Sequence, residues 1–255
     1  MADEKNREYY EARELCFETA QRMIFCDLIE PKAPTKQSKE RYSATFLIDP
    51  ASPIFSGEGK QTIQALSLLV AQEQFPVLYQ DALKAAKEAG QFNRAGVIGA
   101  LEAAGIQFPF ITIAELNEER RKNGQKLYQD FGNPQLLHFS MRSNVDEKDR
   151  YRHRPKLGSV ASGAGVIFGK EELAMHADKF YGGAYAFAVG RAAAHLVDGK
   201  RTVKFYLNQV FVTGRGERLG GNGGADRFDK FLGKDTAVNP IDSPAAPSGD
   251  VPDVI

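Results

Sequence analysis

Two periodicities alternate along this 255-residue chain. From Arg41 to Ile48 the pattern is strictly two-fold. Tyr42, Ala44, Phe46 and Ile48 make an apolar face, while Arg41, Ser43 and Thr45 point away, as in a strand with one buried side. Gln21 to Leu28 (QRMIFCDL) reads as a preceding strand, closed by the turn-rich EPKAPTKQSKE, so the two predict a hairpin. From Lys60 to about Ala89 the period becomes helical at Ile63, Leu66, Leu69 and Val70. Pro76 interrupts it, and Leu78, Leu83 and Ala86 resume it. Strand character returns at Leu136–Asn144, with Leu137, Phe139 and Met141 on one face and His138, Ser140 and Arg142 on the other. Two long strands follow, about Phe180–Val197 and Arg201–Val212. Asp198-Gly199 between them is a strong two-residue hairpin signal. On the second strand Val203, Phe205, Leu207 and Phe211 are predicted to face inward, and Lys204, Tyr206 and Asn208 outward.

The segment FYGGAYAFAVGRAAAH places Tyr185, Phe187, Val189 and Arg191 on one face. Ala184, Ala186, Ala188 and Gly190 form the other, which allows close approach by a neighbour. Phe187 and Val189 are expected in the core, and Gly182-Gly183 at a bend. Residues 91–135 fit neither period well and read as an insertion, with a small-residue helix near 95–104 and the polar run NEERRKNGQK. GSVASGAGVIFGK reads as a glycine-rich link, and ADRFDKFL as a short amphipathic helix. About five strands with helices between early and late ones predict a mainly β protein with a helical insertion. Its fold class is a five-stranded barrel of the oligonucleotide-binding type (OB-fold); an open antiparallel sheet with helices on one face is the alternative. The expected organisation is a lead-in over 1–20, a domain over 21–233 with its insertion at about 60–135, and a tail over 234–255.

Charge changes the picture at the end of the chain. The 33 Lys and Arg balance 33 Asp and Glu, yet every basic residue lies at or before Lys234. Asp235 to Ile255 hold four aspartates, four prolines and no aromatic residue, which predicts a disordered acidic tail on a body four charges positive. Asp242, Asp250, Asp253 and Ile255 are its candidate partner-binding residues. No run reaches the roughly 18 apolar residues of a membrane span. The charged start, MADEKNREYYEARE, is unlike a secretory leader, so a cytoplasmic location is expected. Cys16 and Cys26 are expected to be reduced thiols in or near the core.

Candidate chemistry points to a polyanion. The loop Arg150-Tyr151-Arg152-His153-Arg154-Pro155-Lys156 interleaves cations with a ring, and 14 basic against 8 acidic residues lie between Arg142 and Arg218. Cations release counterions from phosphates, and rings offer stacking surfaces for unpaired bases. Arg41, Arg142, Arg152, Arg154, Lys156, Arg191 and Lys204 are the candidate phosphate contacts, with Tyr181, Tyr185 and Tyr206 as candidate stacking residues. Catalytic signals fail on spacing. Gly163 to Lys170 resembles a phosphate loop, but Ala164 stands where its first glycine belongs and Glu171 where Ser or Thr is needed. The four histidines lack metal-ligand spacing, and neither cysteine has an activating motif. A non-enzymatic binder without cofactor or metal is expected; a metal-dependent nuclease and a virion interaction protein are the rivals.

As an ordered set, RYSATFLIDP, FYGGAYAFAVGRAAAH, KFYLNQVFVTGRGERLGG and the acidic end resemble the phage-encoded single-stranded-DNA-binding proteins, which join an oligonucleotide-binding fold to an acidic C-terminal tail. The resemblance covers roughly residues 20–90 and 136–255, leaving 91–135 as a departure. It implies coating and protection of unpaired DNA in replication, recombination and repair, in the cytoplasm of a bacterial host. It also implies a tail that competes with DNA and recruits replication or recombination proteins. Tails of that family are denser in acid and sometimes end in an aromatic, whereas this one is sparse and ends Asp253-Val254-Ile255. A ring-forming annealing protein is the nearest alternative, and a homo-oligomer is left open. The residues alone do not separate DNA from RNA.

Overall fold

In the computed structural model, residues 8–33, 38–146, 148–149, 152–161, 164–213 and 216–219 are described, all within the compact unit Met1–Leu219. The strands are β1 (Glu14–Cys16), β2 (Gln21–Lys32), β3 (Arg41–Ile48), β4 (Ile106–Gln107), β5 (Phe110–Thr112), β6 (Leu137–Asn144), β7 (Lys156–Ala161), β8 (Ala164–Ile167), β9 (Tyr185–Val197) and β10 (Lys200–Val212). The helices are α1 (Pro53–Ser56), α2 (Ile63–Gln74), α3 (Pro76–Glu88), α4 (Arg94–Ala103), α5 (Ile113–Lys122) and α6 (Lys170–Met175). The expected tail, the helix over 225–232 and Arg150-Tyr151 lie outside the described residues.

The hairpin at Asp198-Gly199 forms as its sequence predicts. Both residues take positive φ, 50° and 74°, which matches the right-handed twist of β9 and β10. Five strands pair in a circuit: β9 with β2, β2 with β3, β3 with β6, β6 with β10, and β10 again with β9. Only the β6–β10 pair of this circuit is parallel. The sheet is larger than the five strands expected, because β1, β4, β5, β7 and β8 add to its edges, making ten among the described residues. β4 and β5 lie in the unassigned 91–135 region. They are too short for any periodicity to reveal, and β1 pairs with β9 from within the expected lead-in.

Tyr42, Phe46, Phe139, Phe205 and Met141 are fully buried. Helix α2 lies against β9 and β10, and its buried Ile63 and Leu66 share one core with Ala186, Ala188 and Ala192. The small face of β9 is therefore the inner one. Phe187 and Val189 consequently sit on the half-exposed outer face, contrary to the core position expected of them. At Gly190 a Cβ would press on the Met141 methyl and stand 2.6 Å from the Tyr206 carbonyl oxygen, so the strands close only over glycine. Pro76 separates α2 from α3 by standing at the first turn of α3, as expected.

Two further expectations change. A bulge between Leu207 and Gln209 inserts one residue into β10, so Val210 and Val212 turn inward and Phe211 turns out. Phe211 then rests on the supposed glycine-rich link, which is the β7–β8 hairpin. Its Gly158 and Gly165 leave a slot in which added Cβ atoms would stand 3.0 Å from the ring. The strand expected from Phe180 begins at Tyr185, because residues 177–179 form a 3-10 turn and Gly183 takes φ 110° at the expected bend. Cys16 is exposed rather than near the core, since β1 turns it outward. Cys26 is half-buried, and burial pushes its thiol up to about 12.

Candidate nucleic-acid interface

Strand register builds one continuous row across the outer face. Asp27 on β2 stands beside Ser43 on β3, Ser43 beside Arg142 on β6, Arg142 beside Tyr206 on β10, and Tyr206 beside Arg191 on β9. One rung along, Phe25 stands beside Thr45 and Thr45 beside Ser140, whose hydroxyls are 2.9 Å apart. A groove of about 270 Å³ opens on this face, lined by Arg41, Ser43, Thr45, Ser140, Arg142 and Lys204 among others.

The groove exists because β6 and β10 part. They pair only at Met141–Phe205 and Arg142–Tyr206. Beyond that point β4 takes the edge of β10 and β5 takes the edge of β6. The turn between β4 and β5 drives Phe108 and Pro109 into the gap, held by the Ser140 amide donating to the Pro109 carbonyl at 2.8 Å. Phe108 stacks on Phe110 at 5.4 Å and 26°.

Three cations crowd this groove. Among the described residues, neither Arg142 nor Lys204 has a carboxylate within ion-pair distance, and Asp27 is engaged with Lys32 at 2.7 Å. Burial, then Arg142 and Arg41, pull the Lys204 ammonium below its ordinary range. Burial and Arg41 do the same to Arg142, and burial does so to Arg41 against the pull of Asp27. A guanidinium stays charged through such a shift. The cluster is therefore under mutual repulsion that an anion would relieve. His195 is likewise pulled down by burial, Lys204 and Arg142, and its Nε2 lies 2.9 Å from the Tyr206 hydroxyl, fixing that ring beside the row.

The candidates chosen from sequence divide into two sets. Arg41, Arg142, Lys204, Tyr206 and Arg191 come together, with Arg191 also 4.4 Å from the ring of Tyr10. Tyr185 lies six residues from Arg191 on β9, roughly 20 Å away along the strand, beside Arg22 of β2. Tyr181 donates to the Gly216 carbonyl at 2.8 Å, with the Arg218 guanidinium 4.7 Å from its ring. Arg152 is exposed and paired to Asp146 at 3.4 Å. Arg154 donates to the Ile29 carbonyl at 3.1 Å, across the chain from its own loop, and Lys156 opens β7 with its side chain exposed. Among the described residues, no three His, Cys, Asp or Glu gather as a metal site would need. No helix of the described residues is long and apolar enough to cross a membrane.

Sequence reasoning missed Phe25, Phe108, Tyr128 and the hydroxyls of Ser43, Thr45 and Ser140. The hydroxyls were visible as the polar face of two alternating strands; the three rings were not. His138, expected on the outer face, is there but buried beneath Phe25 and Tyr128, at 6.3 and 5.0 Å between ring centres. Burial pushes its imidazole down to about 4. The unfolded chain therefore binds a proton that the folded one refuses between about pH 6.5 and 4, and stability falls as pH drops through that window. By pH 5 the loss from this one group is about 2 kcal/mol. Replacing His138 with Phe keeps the ring packing and is expected to remove that portion. Denaturant unfolding of both proteins at pH 7 and pH 5 measures the difference, and equal pH dependence would refute it.

No family model matches the chain, and no curated protein matches it. Among solved structures, the single-stranded DNA-binding protein from bacteriophage Enc34 is 14% identical over 87% of this chain and 92% of that one, with a TM-score of 0.48. The same protein in complex with ssDNA gives 14% identity, 83% and 92% coverage, and a TM-score of 0.45. The gp2.5 single-stranded DNA-binding protein encoded by bacteriophage T7 gives 13%, 89% and 98%, and 0.36. The structural neighbours are phage single-stranded-DNA-binding proteins. At this identity, the chemistry of individual residues has to come from the groove itself.

Proposed function

We propose that the chain is a non-enzymatic, sequence-tolerant single-stranded-DNA-binding protein. The five-strand circuit serves as an oligonucleotide-binding barrel, and the outer face of β3, β6 and β10 holds the strand. The observation that carries this reading is the cluster of Arg41, Arg142 and Lys204, partly desolvated and mutually repelling in a groove lined by hydroxyls. Phosphates supply the missing negative charge, Ser43, Thr45 and Ser140 supply neutral hydrogen bonds, and Tyr206 and Phe108 supply ring surfaces.

In this reading the protein coats unpaired DNA during replication, recombination and repair in the host cytoplasm, and turns over nothing. The acidic tail, with Asp242, Asp250, Asp253 and Ile255, competes for the basic groove at the millimolar effective concentration a flexible tether gives, and is released to partner proteins once DNA binds. Fluorescence titration with single-strand, duplex and RNA oligonucleotides tests the whole scheme. Single strands are expected to bind at least about tenfold more tightly than duplex, because duplex bases already stack on each other. The same titration on a chain ending at Lys234 is expected to show tighter binding at low salt. Equal affinity for single strand and duplex overturns the proposal.

A further inference from the structure

The 113–135 segment builds something beside the groove that the phosphate-binding cluster does not use. Strand β2 is bulged between Met23 and Phe25, and the extra residue turns Phe25 onto the outer face, next to Thr45. There its ring is 43% exposed, although it is large, apolar and on a paired strand. Tyr128 makes a T-shaped contact with it at 5.4 Å and 71°, and part of the phenylalanine stays open to solvent.

Tyr128 is held in place with more bonds than packing alone requires. The side chain of Asn117 on α5 both accepts from its amide at 2.7 Å and donates to its carbonyl at 3.0 Å. Arg120, one helical turn on, places its guanidinium 4.3 Å from the Tyr128 ring and donates to the hydroxyl at 3.2 Å. Neutral His138 lies beneath both rings. Helix α5 is itself anchored by a capping box at Thr112 and Glu115, so the aromatic pair sits on a rigid support.

We propose that Phe25 and Tyr128 form a stacking subsite for an unpaired nucleobase, with Arg120 at its rim for the adjoining phosphate. The inference rests on the single-strand reading and extends its site by one position. Phe25 is one rung from Ser43 and Arg142, about 7 Å along β2 and β3, so the same strand can lie in the groove and place a base on the ring. Every base has a flat face, so the subsite is tolerant of sequence. A residue that only filled space on this face would be covered by the segment passing over it, whereas Tyr128 leaves Phe25 open.

The chain has no tryptophan, which gives a direct readout. In a Phe25→Trp variant the single indole reports stacking, and its emission is expected to be quenched when oligo-dT is added. In a Phe25→Leu variant the apolar contact remains but the flat face is lost. Its affinity for oligo-dT is expected to fall about 5- to 100-fold. The slope of log affinity against log salt should stay unchanged, because no cation is removed. If the unaltered chain binds oligo-dT while Phe25→Leu binds equally well and the indole is not quenched, the subsite is overturned and the groove stands. If the unaltered chain binds no single strand, the functional reading fails first and the subsite with it. Thermal melts of both variants against the unaltered chain separate a loss of stacking from a loss of fold.

Discussion

Replacing Arg142 and Lys204 together with glutamine is expected to weaken single-strand binding about 100- to 1000-fold while leaving the fold at least as stable. Hydrogen bonds to charged groups contribute about 1.5–3 kcal/mol each, and two neighbours acting on one strand add imperfectly. Each tenfold loss corresponds to about 1.4 kcal/mol. With two phosphate contacts gone, the slope of log affinity against log salt should flatten by about 1.4. Stability moves the other way from a usual buried-charge mutation, because neither cation has a carboxylate partner among the described residues and each raises the cost of the other. Titration at several salt concentrations together with a thermal melt checks both halves. A variant that binds as before, or one that melts well below the parent, contradicts the assignment.

The second large effect comes from a single methyl group. Gly190→Ala places a Cβ against the Met141 methyl and 2.6 Å from the Tyr206 carbonyl oxygen. The methionine end can move; the backbone of β10 cannot without breaking its ladder to β9. A loss of about 2–4 kcal/mol is expected, in the upper range of overpacking and backbone strain. Because Tyr206 and Arg142 share a register position, displacing that strand also shifts the binding row. Reduced affinity should therefore accompany the lower melting temperature. Gly190→Ala with unchanged stability would show that the strands are looser than the contact at Gly190 implies.

Much of the fold was readable where one rule governed a whole element. The alternation of Arg41–Ile48, the Asp198-Gly199 turn and the Pro76 break all appear as their local chemistry dictates. The outward placement of Arg41, Arg142 and Lys204 was readable for the same reason, as the polar side of alternating strands. What was hidden depends on single insertions. The bulges before Phe25 and after Leu207 leave no trace in composition, yet each reverses the faces of the residues beyond it. Phe211 was misplaced on that account. The wedge at Phe108 was invisible because β4 and β5 hold two and three residues, too few for any period. Tyr128 is held beside Phe25 by bonds from Asn117 and Arg120, which no hydrophobic period reveals.

The two-residue contact between β6 and β10 has a consequence for how the molecule breathes. It is as short as the β2–β9 seam and far shorter than the β9–β10 ladder, and cations on both of its strands push it apart. Amide hydrogens along this seam would exchange with solvent through a smaller opening than those of the long β9–β10 ladder. A phosphate seated between Arg142 and Lys204 would act as a staple across it, so a strand occupying the groove would also close a short joint of the sheet that holds it.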